Sequence, residues 1–163
     1  MEAEKLEHAL VRIIERQGIP AAPFPEKPEG YFPEADPGEV LVRYEGKKPL
    51  GRDVSGVVLR RELYVELVIV SRQLRGKNGL YAWLGILEQQ FEGFTLPDAG
   101  GALQLESEGF VSEDNGTWQF AQKWKLTENR EYEQFDDYAD RPLGSTGTTR
   151  EHPGEYSHDP ADR

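Results

Sequence analysis

The apolar positions change their spacing along the chain, and each change predicts an element. Between 2 and 17, Leu6, Ala9, Leu10, Ile13 and Ile14 recur at helical intervals among Glu, Lys and Arg. This predicts an amphipathic helix, which Gly18 ends. Val40 and Val42 alternate with Leu41 and Arg43, so 39–44 reads as a short strand, followed by a turn-rich loop over 45–51. The longest strand signal runs from Val54 to Leu74. Leu63, Val65, Leu67 and Ile69 share one face, and Tyr64, Glu66, Val68 and Val70 share the other. Both faces are mostly apolar, which predicts a central strand covered on both sides. Its polar start, with Arg60, Arg61 and Glu62, is expected to project beyond the sheet.

Within 76–94 the period returns to helical: Leu80, Trp83, Leu84, Leu87 and Phe91 form one stripe. Asn78 is the expected N-cap and Gly93 the left-handed terminator. A loop over 95–101 leads to a half-exposed strand, with Leu103 and Leu105 alternating with Gln104 and Glu106 to about Val111. Glu113-Asp114-Asn115-Gly116 signals a hairpin, and Thr117 to Leu126 is the return strand. There Trp118, Phe120 and Trp124 fall on one face and are assigned to the core, since an aromatic platform for bases needs a basic surround.

Proline alters the picture between 19 and 38. Pro20, Pro23, Pro25, Pro28, Pro33 and Pro37 remove backbone donors and fix φ, which excludes a helix or a central strand. The segment is expected to be an extended strap, pinned at intervals by Phe24, Tyr31 and Phe32. From Glu128 the apolar residues thin out. The segment 131–163 is expected to be a flexible acidic tail, because it buries too little to offset its ordering entropy. The sum is an α+β domain over 1–130: a mainly antiparallel four-stranded sheet packed with two helices, in the order α-β-β-α-β-β.

Composition narrows the function. The 163 residues carry a formal net charge of −11 and no cysteine. The charge argues against general nucleic-acid binding and against attraction to anionic membranes, and no apolar run is long enough to span a bilayer. Without cysteine there is no disulfide framework and no thiolate metal site. The histidines are His8, placed on the polar face of the first helix, and His152 and His158 in the tail. They offer no Ser/His or Cys/His nucleophile pair and no paired-histidine metal motif. Gly46-Lys47 lacks the upstream glycine and the following Ser or Thr of a phosphate loop. Glu106 and Glu108 would share a strand face, and Glu66 is expected to pair with Arg43. No catalytic residue, metal site or cofactor is therefore expected, and the chain reads as a non-enzyme.

Several short motifs occur in a fixed order. They are Val-Leu-Val-Arg-Tyr-Glu-Gly (40–46), Leu-Arg-Gly-Lys-Asn-Gly-Leu-Tyr-Ala-Trp-Leu (74–84), Glu-Gly-Phe (92–94), Leu-Glu-Ser-Glu-Gly-Phe (105–110) and Gly-Thr-Trp-Gln-Phe (116–120). With the first helix they resemble the tail terminator family of Mu-like, contractile-tailed bacteriophages over about residues 5–127. The resemblance implies a virion protein that assembles as a hexameric ring. The ring would cap the head-proximal end of the tail tube and sheath, stop polymerisation and present a surface to head-completion proteins. DNA would pass its lumen without specific binding. The strap and the acidic tail depart from the family pattern. The residues proposed for the subunit interface are Arg60, Arg61, Arg72, Arg75 and Lys77, a basic set that would meet an acidic neighbour. The alternatives are a small acidic metal-dependent hydrolase and a monomeric regulatory binding module. Oligomeric state separates both from a ring.

Overall fold

In the computed structural model, which describes residues 1–52, 58–97 and 101–131, the long alternating stretch becomes the centre of a five-stranded sheet. The elements in chain order are α1 (Ala3–Arg16), β1 (Ala21–Pro23), β2 (Gly38–Arg52), β3 (Val58–Ser71), α2 (Leu80–Phe91), β4 (Leu103–Asp114) and β5 (Thr117–Glu131). The sheet order is β1-β2-β3-β5-β4. β1 runs parallel to β2, and the other three pairings are antiparallel. All described residues lie in one unit, Met1–Tyr132.

The expected four-stranded antiparallel sheet is thus a five-stranded mixed one. The added strand comes from the proline strap. Proline is tolerated on an edge strand, where one side of the backbone needs no donor. Here Pro20 supplies only its carbonyl, to Val40 N–H at 2.9 Å, and Phe24 N–H donates to Val42 at 2.8 Å. The loop expected over 45–51 is instead the continuation of β2. Two register shifts, at Tyr44/Gly46 and Pro49/Gly51, absorb the glycines and the proline while pairing with β3 continues to Arg52. Gly46 and Gly51 sit at φ 135° and 100°, open to glycine and strained for other residues. The polar start of β3 does not project alone, since it is paired with β2 on one side and β5 on the other. β5 likewise continues five residues past the expected end at Leu126. Val54 to Val57, the first residues of the expected long strand, lie outside the described residues. So does the expected tail, apart from Glu131 at the end of β5.

Both helices pack on one face of the sheet. Leu6, Leu10, Val11 and Ile14 of α1 join all five stripe residues of α2 over Val40, Val42, Leu63, Val65, Leu67, Ile69, Leu103, Trp124 and Leu126. Trp124 is 1% exposed, and its ring meets Phe91 edge-on at 5.7 Å. The opposite face is covered by the strap: Phe24 and Tyr31 pack on Leu41, Val68 and Val70. Phe32 was expected to pin the strap as well, but it is 71% exposed.

Two expected turn features differ in outcome. Asn78 does not cap α2. Gly79 holds the N-cap position, and the first-turn amides of Leu80 and Tyr81 donate to the carbonyls of Gln73 and Leu74. A Cβ at Gly79 would lie 2.6 Å from the backbone of Arg75, so that tight turn requires glycine. Asn115 and Gly116 have positive φ, as the hairpin signal requires.

Candidate assembly surface

Among the described residues, the hydrogen-bonded sheet ends in two stretches of unpaired strand. On one side β1 covers β2 only at Val40–Val42, and Glu7 of α1 accepts from Tyr44 N–H at 2.8 Å. Beyond that, among the described residues, nothing bonds the outer edge of β2 from Glu45 to Gly51. With the facing start of β3, this stretch forms a hairpin arm whose β2 side is mostly exposed. On the other side, the turn after α2 closes the start of β4. Leu103 N–H donates to Phe94, its carbonyl accepts from Gly93, and Leu105 N–H donates to Glu92 Oε2 at 2.9 Å. From Glu106 to Asp114 no described group bonds the outer edge of β4. A long unpaired edge is a template for another strand.

The two stretches differ in charge. The arm carries Lys47, Lys48 and Arg60, and the β4 edge carries Glu106, Glu108, Glu113 and Asp114. Each also holds exposed apolar surface: Leu50 (43%) on the arm, Phe110 (57%) and Val111 (50%) on the edge. Phe110 continues an aromatic row on the helix side, edge-on to Trp118 at 6.2 Å and Phe120 at 5.7 Å, and Tyr81 meets Phe120 at 5.8 Å. Trp118 and Phe120 pack against the core, as the sequence predicted, whereas Phe110 is exposed where the row ends at the open edge.

The five cations proposed from the sequence do not form one cluster. Arg60 and Arg61 lie near one end of β3, whereas Arg72, Arg75 and Lys77 follow its other end. At ~3.3 Å per strand residue the two groups are about 35–40 Å apart. Arg61 is committed within the fold, pairing with buried Glu128 at 2.5 Å. The terminal amino group of Met1 bonds the same carboxylate. Burial pushes the Glu128 carboxyl up, but the Met1 ammonium and the Arg61 guanidinium outweigh it and hold it below the ordinary glutamate value. Arg72 is committed too, donating to the carbonyls of Pro33 (3.1 Å) and Ala35 (3.5 Å), with Asp36 at 3.8 Å. It anchors the strap. Arg75 lies over the Tyr81 ring at 5.7 Å. Arg60 and Lys77 are exposed.

The carboxylates singled out in the sequence also have partners. Glu66 pairs with Arg43 at 2.5 Å, as expected. Glu106 and Glu108 do not share a face. A bulge between Leu105 and Ser107 inserts one residue. Glu106 therefore reaches Lys125 at 3.8 Å on the strap side, and Glu108 accepts from Gln122 at 2.9 Å on the helix side. Gln122 also donates to Leu84 at 3.1 Å, which ties the β4–β5 pair to α2. No group of three or more metal-ligating side chains occurs among the described residues, and no helix among them is long and apolar enough to cross a membrane.

The sequence anticipated a projecting start of β3 but missed its β2 partner strand and both open edges. The signal available was the alternation of charge with Gly46, Pro49 and Gly51, which reads as loop unless bulges are allowed for.

A comparison with protein families matches residues 17–133 to the family described as Gp37 protein. A comparison with curated proteins gives no match.

Proposed function

From the premise that the chain belongs to the Gp37 protein family, a phage-associated family, we propose that it is a structural protein of a phage or phage-tail-like particle. Its copies join into a ring that caps the head-proximal end of the tail tube and sheath. The ring ends polymerisation and offers a joining surface to head-completion proteins. The observation that carries this reading is the pair of strand edges, on opposite sides of one sheet, that are unpaired among the described residues. A subunit with two different adhesive edges assembles head to tail, and a head-to-tail contact closes into a ring when its rotation allows. A net charge of −11 suits a lumen through which DNA slides, because like charges repel the phosphate backbone.

The test is mass measurement in solution followed by electron microscopy with purified tail tubes. A closed oligomer, six subunits by the resemblance, should form and decorate one end of each tube. Tubes polymerised in its presence should stop lengthening. A chain that stays monomeric at high concentration and leaves tube length unchanged overturns the proposal.

A further inference from the structure

We propose that the ring is joined by strand addition, with the outer edge of β2 at Glu45–Gly51 of one copy pairing with the outer edge of β4 at Glu106–Asp114 of the next. This deepens the ring reading above and rests on it.

Charge supports this pairing over its rivals. The β4 edge carries four carboxylates over nine residues and no cation. Two copies meeting β4 to β4 would set carboxylate against carboxylate, which is unfavourable across strands. Two arms meeting would oppose Lys47 and Lys48 in the same way. Only arm against edge brings opposite charge together. The acidic edge therefore rejects its own twin and admits the cationic arm, which selects a head-to-tail contact over a two-fold one. Among the described residues, Lys47, Lys48 and Arg60 form no ion pair, so their charges are not spent inside the subunit. The apolar residues match as well. Leu50 lies beside the lysines, and Phe110 and Val111 lie between the two pairs of acidic residues.

Strand direction agrees. β2 is antiparallel to β3, β3 to β5 and β5 to β4. β2 and β4 therefore run in opposite directions, and a copy carried sideways presents β2 antiparallel to its neighbour's β4. The two free stretches lie toward opposite ends of the strands, since the arm is level with the end of β5 and the open part of β4 with its start. Neighbouring copies are accordingly staggered along the strands. In the closed assembly the strands are inclined to the ring axis, as in a β-barrel.

Charge reversal on each side tests the contact. K47E/K48E spoils the arm and leaves the edge, whereas E106K/E108K spoils the edge and leaves the arm. Each variant alone should need about a hundredfold higher concentration to assemble. An equimolar mixture should regain the ring with the two variants alternating, because the unaltered arm of one meets the unaltered edge of the other and the reversed arm meets the reversed edge; this also shows that both have folded. The chain carrying all four substitutions should regain the ring. If wild type forms rings and both variants form them equally well, the pairing is wrong while the ring reading stands. Two-fold dimers of wild type, or four substitutions that fail to restore assembly in a folded chain, also overturn the pairing. A wild type that never associates overturns both.

Discussion

The two faces of the sheet are built from the same strands and covered in different ways. On the helix face, α1 and α2 lay close-spaced aliphatic and aromatic side chains over Val40, Val42, Val65, Leu67 and Trp124, with Leu6, Ile14, Ile69, Leu80 and Leu87 fully buried. On the strap face, Leu41, Val68 and Val70 are met by two aromatic side chains from a proline-rich segment. A groove of about 450 Å³ remains there between the strap and the tip of the β4–β5 hairpin. A helix presents a side chain to the sheet at nearly every turn, whereas an extended strap touches it at intervals. Alternating apolar residues thus show that both sides of β3 are covered, but not by how much. The helix face should supply most of the stability, and the strap face should tolerate change.

The largest expected effect is at Trp124. Its ring fills the space beside Phe91, and its Nε1 donates to Gln122 Oε1 at 3.2 Å. Trp124→Ala removes that volume and should cost about 4 kcal/mol in urea unfolding. A loss below about 2 kcal/mol would mean that the helix face is less tightly filled than described.

Glu128 comes next, at the end of the helix-side row of β5. Glu128→Gln leaves the Arg61 guanidinium, whose Nε has no partner among the described residues, without its counter-charge. The expected loss at neutral pH is roughly 3 kcal/mol, the lower end for a broken buried pair. The sign with pH follows from the depressed carboxyl. Its contribution is fully present above the ordinary glutamate value of 4.5 and is lost as pH falls through the lower folded value. The variant and wild type should therefore converge in stability as acid is added. Parallel curves down to pH 2 would show that the carboxylate is not the source.

On the strap face, Tyr31→Ala should cost only about 1.5 kcal/mol, because its ring is half-buried and covers a small cluster. Its effect on unfolding must be well below that of Trp124→Ala. Equal losses would break the contrast between the faces.

These differences also mark what the sequence made legible. The five residues of the α2 stripe, the face shared by Leu63, Val65, Leu67 and Ile69, and the Asn115-Gly116 turn were readable because one local period or one dihedral demand determines each. The strand at Ala21–Pro23 was not, because proline argues against a strand and only its edge position, a tertiary fact, removes the objection. The same holds for β2 beyond Tyr44, where two bulges reconcile Gly46, Pro49 and Gly51 with a continuous ladder. Basic residues were readable as residues but not as a site. Arg61 and Arg72, proposed as interface groups, are bound to Glu128 and to the strap. A one-dimensional reading cannot tell a cation that faces a neighbour from one satisfied within its own chain.

The smallest expected effect has the opposite sign. Glu39 sits near the start of β2, 8% exposed, and its Oε1 has no hydrogen-bond partner among the described residues. It shares the strap face with Leu41, two residues along the strand. Burial raises its carboxyl above the ordinary glutamate value of 4.5. The stability its protonated form contributes is fully present below 4.5 and is lost as pH rises through the raised folded value, the reverse of Glu128. Once pH has risen through that value, the folded chain holds an ionised carboxyl with one oxygen unsatisfied among the described residues. Glu39→Gln removes that charge and should stabilise the protein at pH 7 by up to about 1 kcal/mol. The gain should shrink as pH falls, because wild-type Glu39 then takes up its proton. Thermal unfolding at pH 7 and pH 4 distinguishes the outcomes. A variant less stable than wild type at pH 7 would mean that the carboxylate is held by a cation, and the strap face would then be organised by an ion pair in addition to its apolar contacts.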